Sequence, residues 1–315
     1  MRQTLLITGA AGYIGSMVNK LFCQQGYQTI ILDNLSKGEK ERVVGGELIV
    51  GDFGDRPLLQ QIFNKKIDGV LHFAALTNVG ESVKNPFLYY ENNVVKSLIL
   101  LEEMAKAGVK KLIFSSSAAV YGLPAKGLIS ETDPQNPINP YGETKRAVEE
   151  MIRWSGLEAI SLRYFNAAGG DPEGTVLYRS LSPTNLIPIL LNGLADNRSF
   201  TLFGDDYPTK DGTCIRDYIH LSDLANGHLL AWEALNKGKT GAFNLGNGKG
   251  YSVLEVIAAV EKVTGKKVNL QKGPKREGDP AILLADATKA QKELGWSPHS
   301  PSLEQMVHDA WLGYQ

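Results

Sequence analysis

The sequence predicts an α/β protein: a doubly wound parallel sheet followed by a smaller α/β lobe. Three observations predict it. Short apolar runs alternate with amphipathic helical stretches through the first half of the chain. Those runs are continuously apolar, as strands covered by helices on both faces require. A glycine-rich turn, 8-TGAAGYIGS-16, joins the first run to the first helical stretch, the arrangement of a Rossmann-like sheet.

The strand-like runs are 5–8 (LLIT), 29–33 (TIILD), 47–52 (ELIVGD), 69–75 (GVLHFAA), 111–117 (KLIFSSS) and 158–166 (EAISLRYFN). One long helix is expected over 86–107, with Pro86 at the first helical position, where its missing N–H costs nothing. After Asn166 the rhythm fails. Residues 167–213 are rich in Gly, Pro, Asp and Asn around a short apolar segment at 186–194. A strand-like RDYIHL (216–221), a helix over 222–235 and FNLGNG (243–248) follow. Ser252 with Glu255, and Ser302 with Gln305, have the spacing of capping boxes and mark two helix starts. Residues 1–166 read as a dinucleotide-binding domain. Residues 167–315 read as a substrate lobe over the carboxyl ends of the strands, with 216–247 returning to the sheet.

Composition narrows the function. A chain of 315 residues, 43% hydrophobic and 21% charged, suits one large or two modest globular domains. A net charge of -1 offers no broad pull toward nucleic acid or anionic membrane. No apolar run approaches the ~20 residues that span a bilayer, and the apolar start is too short for a signal peptide. Two cysteines, Cys23 and Cys214, suit a reducing cytoplasm rather than a disulfide scaffold. Five scattered histidines, none in HxxxH or CxxC company, give no metal site. The chemistry is left to an organic cofactor or to side chains alone.

The cofactor end is read from the first strands. Gly9, Gly12 and Gly15 permit a tight turn, a close approach of backbone to pyrophosphate and intimate helix packing, with Tyr13 and Ile14 opening a helix whose N-terminus favours the anion. The spacing is GxxGxxG, not GxGxxG. Asp33, 18 residues after Gly15, ends the second strand. A carboxylate there accepts from both ribose hydroxyls and repels a 2′-phosphate, which favours NAD over NADP. The alternative is a solvated acid opening a turn with Asn34. Asp52 and Phe53 follow the third strand and would lie beside adenine. Phe73, Ala74 and Ala75 end the fourth close to the pyrophosphate, where the alanines leave room.

The reacting end is Ser115-Ser116-Ser117 with the later 140-PYGETK-145. Tyr141 and Lys145 stand one helical turn apart on one face. Tyrosine titrates near pH ~10 and is a poor base at neutrality. A neighbouring ammonium, with the positive ring of NAD⁺, is expected to lower Tyr141 toward the operating pH. Ser117 would hold a substrate hydroxyl, and Lys145 the nicotinamide ribose. A surface pair, the ring covering the lysine stem, is the plainer alternative, and three serines can simply be a polar strand end.

GxxGxxG, Ser117 and YxxxK resemble the extended short-chain dehydrogenase/reductase family. The stretches FSSSAAVYG, NPYGETK, LRYFNAAG, FGDDYPTKDGTCIRDYIH and REGD are similar to its UDP-glucose 4-epimerase branch over nearly the whole chain. The resemblance implies a redox-neutral reaction: Tyr141 takes the proton of a UDP-hexose 4-hydroxyl, tightly bound NAD takes the hydride, and the 4-keto sugar turns before the hydride returns. It implies Arg216 and Arg276 as a diphosphate clamp, or else as ion pairs with Asp217 or Asp279. It implies Asn166, Asn185 and Asp279 as contacts to the nucleotide sugar, and Asn93 and Phe73 as contacts to the cofactor. Ser115 and Tyr164 fall at the nicotinamide side, Tyr164 more as packing than catalysis. A homodimer through helices at about 88–107 and 141–154 is implied as well.

Three positions depart from relatives. Thr77 replaces a phosphate-binding lysine, the 166–185 loop is shorter, and Leu283 replaces a bulky tyrosine that limits room for an N-acetyl group. UDP-N-acetylhexosamines, UDP-pentoses and UDP-uronates therefore remain alternative substrates. Ala118 and Ala119, which cannot move protons, argue against a 4,6-dehydratase. A C-terminal lobe this large argues against a simple alcohol dehydrogenase. An NAD-binding sensor would have no need of Ser117, Tyr141 and Lys145 together.

Overall fold

The computed structural model describes residues 2–123, 127–179, 183–276, 279–299 and 302–315. The strands in chain order are β1 (Thr4–Thr8), β2 (Gln28–Asp33), β3 (Glu47–Val50), β4 (Gly69–His72), β5 (Lys111–Ser115), β6 (Leu128–Ile129) and β7 (Glu158–Tyr164). Then follow β8 (Asn166–Ala168), β9 (Phe200–Phe203), β10 (Ile215–His220), β11 (Gly241–Leu245), β12 (Gly250–Ser252), β13 (Leu270–Gly273) and β14 (Ile282–Ala285). Seven of them form a parallel sheet in the order β11-β7-β5-β4-β1-β2-β3. Chain direction across the sheet reverses at β1, so a crevice opens between the carboxyl ends of β1 and β4.

The continuous apolar runs feed two cores. In β1, Leu5 and Ile7 pack with Val18 and Phe22 of α1 (Tyr13–Gln24) on one face. Leu6 points the other way, toward Leu59 and Ile62 of α2 (Arg56–Phe63). This is the period of two that a strand imposes. Each side chain so buried is worth roughly 1.5–3 kcal/mol against solvent, which fixes the register.

The helix expected over 86–107 is not one regular helix. After α3 (Val79–Lys84) the chain forms α4 (Pro86–Tyr90), a π-helical turn (Glu91–Val95) and α5 (Lys96–Lys106). The π turn accommodates one extra residue and rotates Asn93 inward, to 2% exposure. Next comes α6 (Pro140–Trp154), capped by Asn139, whose side chain accepts from Gly142 N at 2.9 Å.

The second lobe has its own sheet, β12-β10-β14-β6, with β8 also paired to β10. Only the β10–β12 pair is antiparallel within it. Helices α7 (Leu186–Ala195), α8 (Leu221–Asn236), α9 (Val253–Thr264), α10 (Thr288–Leu294) and α11 (Leu303–Trp311) complete the chain. The apolar faces of α7, α9 and α11 share a core, and β9 pairs with β13 apart from the main sheets. Of residues 216–247, β10 heads this second sheet, whereas α8 packs against α1 and β11 lies beside β7. The Ser252–Glu255 capping box is complete. The expected box at Ser302 is not. Ser302 accepts from Gln305 N, but the Gln305 side chain reaches forward to Asp309 at 2.7 Å because that buried carboxylate offers a stronger acceptor.

Candidate active site

At the mouth of the crevice Gly9 has φ +78°, and a Cβ on it would lie 2.5 Å from Ala74 N. Only glycine lets the two turns touch. Gly15 is likewise closed against the Gly9 carbonyl, whereas a Cβ on Gly12 would meet only that carbonyl, at 3.1 Å. Gly12 therefore marks the open side of the turn. The α1 N-terminus there has no side-chain cap and no acidic residue in its first turn, so its N–H groups are directed at an anion. Tyr13 is fixed beside it by donating to the Gly169 carbonyl at 2.6 Å, and Ile14 packs into the core below.

Asp33 is mostly buried at the end of β2. Its Oδ2 accepts from Ala11 N at 3.0 Å and its Oδ1 from Leu35 N at 2.9 Å. Each carboxylate oxygen keeps a second acceptor site, which is the acceptor pair a ribose diol needs. Asn34 donates to Asp52 at 3.2 Å, and Lys96 donates to the same carboxylate at 2.7 Å. Burial works upward on Asp52, but Lys96 and the Gly54 N–H outweigh it and hold its carboxyl below the usual range. Phe53 is buried against His72, and Phe73 against His228. Asn93, which the resemblance assigns to the cofactor, is held by its own neighbours. Its Oδ1 accepts from Leu76 N at 2.8 Å, and its Nδ2 donates to Leu76 O at 2.9 Å and Thr144 Oγ1 at 3.2 Å. With its amide saturated, Asn93 braces the segment that follows β4.

The three serines after β5 have three different partners. The Ser115 carbonyl accepts from Lys145 Nζ at 2.8 Å, while its hydroxyl bonds the Tyr164 hydroxyl. Ser116 donates to Glu149. Ser117 caps the 3-10 turn Ala118–Tyr121, accepting from Ala119 N at 3.2 Å. Asn139 and Pro140 start α6, which carries Tyr141 in its first turn and Lys145 one turn on.

The protein's own groups supply only part of the expected tuning. Burial pushes the Tyr141 phenol up, and the Ser117 hydrogen bond only partly opposes it. Lys145 is itself pulled down to about 7 by burial, against the charge of Glu149. The protein's own groups thus do not make a tyrosinate: enclosure disfavours both charged forms, and the lysine that was to stabilise the anion is only partly charged at neutrality. Tyr164 is likewise driven up by burial and serves as packing.

Across the crevice Arg216 forms an ion pair with Asp279, the alternative left open above. Arg276 stacks over the Phe203 ring at 4.2 Å. The two residues between Arg276 and Asp279 lie outside the described residues, as do 180–182 of the 166–185 loop. Arg216, Arg276 and Asp279 all act on Tyr207, whose buried hydroxyl has no hydrogen-bond partner among the described residues. Tyr207 was given no role in the sequence reading, although FGDDYPTKDG contains it. Asn166 donates to the Asp217 carbonyl at 3.0 Å, and Asn185 stands at the N-cap of α7 without making a capping bond. Leu283, opposite Arg216 in register, packs on the cluster of Ala118, Val120 and Tyr121. That contact joins the cationic side of the site to Ser117 and Tyr141. Among the described residues no group of three or more His, Cys, Asp or Glu is placed to hold a metal, and no helix is long and apolar enough to cross a membrane.

Comparison with known proteins agrees with this geometry. Residues 5–246 match the NAD dependent epimerase/dehydratase family. A UDP-glucose 4-epimerase of Halalkalibacterium halodurans is 51% identical over 316 residues, covering 98% of this chain and 95% of that one. One from Lacticaseibacillus casei is 44% identical, with coverage of 98% and 96%. The structure of a UDP-glucose 4-epimerase from Bifidobacterium longum in complex with NAD+ and UDP superposes with a TM-score of 0.93 at 39% identity, over 99% of this chain and 98% of that one.

Proposed function

The chain belongs to the NAD dependent epimerase/dehydratase family, and from that premise we propose that it interconverts UDP-glucose and UDP-galactose by inverting C4. The observation that carries the reading is Tyr141 and Lys145 one turn apart on α6, the ammonium 6.0 Å from the Tyr141 ring and anchored at 2.8 Å on the Ser115 carbonyl at the end of β5. Bound NAD supplies a hydride acceptor and, when oxidised, a positive charge that opposes the effect of burial on Tyr141. Gly12, the first turn of α1 and Asp33 fit its diphosphate and ribose.

Ser117 orients the sugar's 4-hydroxyl, and Tyr141 takes its proton, holds it at the phenol oxygen and returns it after the sugar has turned. Lys145, anchored on the Ser115 carbonyl, stands where it can bond a ribose hydroxyl and bias Tyr141 toward giving up its own proton. Arg276, with the guanidinium donors that the Asp279 pair leaves to Arg216, grips the diphosphate, the second oxygen of Asp279 meets the uridine ribose, and Asn166, Asn185 and Leu283 offer the hexose only neutral contacts. A nucleotide held firmly beside a sugar held loosely is what an inversion by rotation needs. Residues 1–166 carry the cofactor and 167–315 the nucleotide sugar, with β11 lent back to the cofactor domain.

We read the active form as a cytoplasmic homodimer. Phe87 is 87% and Trp154 76% exposed, and Leu88, Tyr90, Val95 and Leu98 are exposed beside Phe87 on α4, the π turn and α5. A second copy covers this apolar surface. The test of function is conversion of UDP-galactose with no NAD added. Sustained turnover is expected, and a reaction that stops after one equivalent would overturn the reading. UDP-N-acetylhexosamines are a second substrate class, favoured by the half-buried Leu283 beside Arg216. Absence of turnover with UDP-GalNAc, under conditions that turn over UDP-galactose, removes it.

A further inference from the structure

We propose that Glu149, braced by Arg163, is a positioning residue: it fixes the Ser115–Ser117 segment beneath Tyr141 and supplies the negative charge that faces Lys145. The proposal rests on the epimerase reading and deepens it.

Glu149 lies one turn beyond Lys145 on α6, its side chain 9% exposed. Its Oε1 accepts from Ser116 Oγ at 2.5 Å and from Arg163 Nε at 2.9 Å. Its Oε2 accepts from Arg163 Nη2 at 2.5 Å and from Gln135 at 3.2 Å. Arg163, on β7, donates from Nη1 to the Tyr121 hydroxyl at 2.9 Å, and Tyr121 donates to Asn244 on β11 at 2.7 Å. The carboxylate is thereby tied to two strands of the main sheet and to the turn that Ser117 caps. Ser116 is the link of interest. Its neighbours supply the carbonyl that anchors Lys145 and the hydroxyl that caps the turn leading away from the site, and that also acts on the Tyr141 phenol. A displacement of Ser116 moves both.

The charge argument comes from the groups around Tyr141 and Lys145. His72, facing them from β4, is held neutral by burial, at about 3. Tyr89 from α4 and Tyr164 from β7 are pushed up by burial and stay uncharged. Arg163 is spent on Glu149. That leaves the Glu149 carboxylate as the charge that sustains protonated Lys145 against burial. A buried ion pair is weak evidence for a stabilising role, since apolar side chains of similar volume fill such space as well or better. A pair whose carboxylate also accepts from the segment beneath the reacting phenol has a function that an apolar pair could not replace.

The test is the pH profile of kcat for UDP-galactose, measured on holoenzyme for wild type, Glu149→Gln, Glu149→Asp and Ser116→Ala. Glu149→Gln is expected to move the alkaline limb to lower pH and to cut kcat about tenfold. Glu149→Asp, which keeps the charge but shortens the reach, should retain the wild-type limb and lose kcat. Ser116→Ala should cut kcat about fivefold with the limb unmoved. A Glu149→Gln enzyme whose kcat and limb overlay wild type overturns the proposal. If that variant fails to fold because Arg163 is left unpaired, Glu149→Asp and Ser116→Ala decide, and wild-type kcat in both overturns it. Wild type inactive on UDP-galactose would defeat the epimerase reading itself, an outcome distinct from the others.

Discussion

The Lys145 ammonium nitrogen lies 6.0 Å from the centre of the Tyr141 ring, held there by its bond to the Ser115 carbonyl rather than by the phenol's charge. The strand end below sets their separation. Catalytic tuning therefore starts from two groups that burial keeps near neutral, and the change to a working base is completed by what binds in the crevice.

Tyr141→Phe is expected to lower kcat by about 10²- to 10⁴-fold. The ring stays in place on Ser117, so the unfolding midpoint should be close to that of wild type. Steady-state turnover of UDP-galactose alongside thermal denaturation checks both halves.

Lys145→Met should stabilise the fold, and most at low pH. Burial lowers the folded-state value to about 7, below the ordinary lysine value near pH ~10. Between those two values the unfolded chain binds more protons than the folded one, so this lysine's contribution to stability rises with pH. Its full cost falls below pH ~7. The variant's gain, on the order of a few kcal/mol at pH ~6, should shrink toward pH ~10. Denaturant titrations across that range measure it, and a gain that grows with pH would contradict the assigned burial.

Asp33→Ala removes the acceptor of the Ala11 and Leu35 N–H groups together with the partner of the ribose. Cofactor affinity should fall about ten- to a hundredfold. The absorbance of NAD released on denaturation of purified protein reads this directly.

Asp217→Asn should cost about 2 kcal/mol of stability. Asp217 Oδ1 accepts from Asn247 N at 2.8 Å, and Oδ2 accepts from Gly248 N at 2.9 Å and Ala285 N at 3.1 Å. An amide has only one oxygen to meet donors on both sides, so at least one buried N–H is left unpaired. Chemical denaturation should show a lower midpoint with an unchanged slope.

The dimer proposed above requires that Phe87→Glu combined with Leu98→Glu lower the sedimentation coefficient to that of a monomer, as sedimentation velocity beside wild type would show. The positions are exposed, so the fold has no reason to change.

The first six strands of the main sheet were legible because each is a continuous apolar run closed by a turn, a signal carried within a few residues. The π turn at Glu91–Val95 was not, because 86–106 is helix-forming throughout and an extra residue per turn leaves no mark on composition. The proximity of Tyr141 and Lys145 was legible from their spacing. Their titration was not, since burial depends on side chains from distant segments, Tyr164 and Tyr89 among them. The Arg216–Asp279 pair joins β10 to the segment before β14, far apart in sequence, so sequence could name the partners but not choose between clamp and ion pair.

The pairing of β11 with β7 has a consequence for synthesis. A ribosome that has released residues 1–166 presents β7 with its outer row of N–H and C=O groups bare, and the five residue pairs that cover it form only when Gly241–Leu245 emerge. Throughout that interval the nascent sheet has an open margin able to recruit a strand from another chain. Translation speed across 167–240, and any chaperone engaged there, bears on yield more heavily than the stability of the finished molecule.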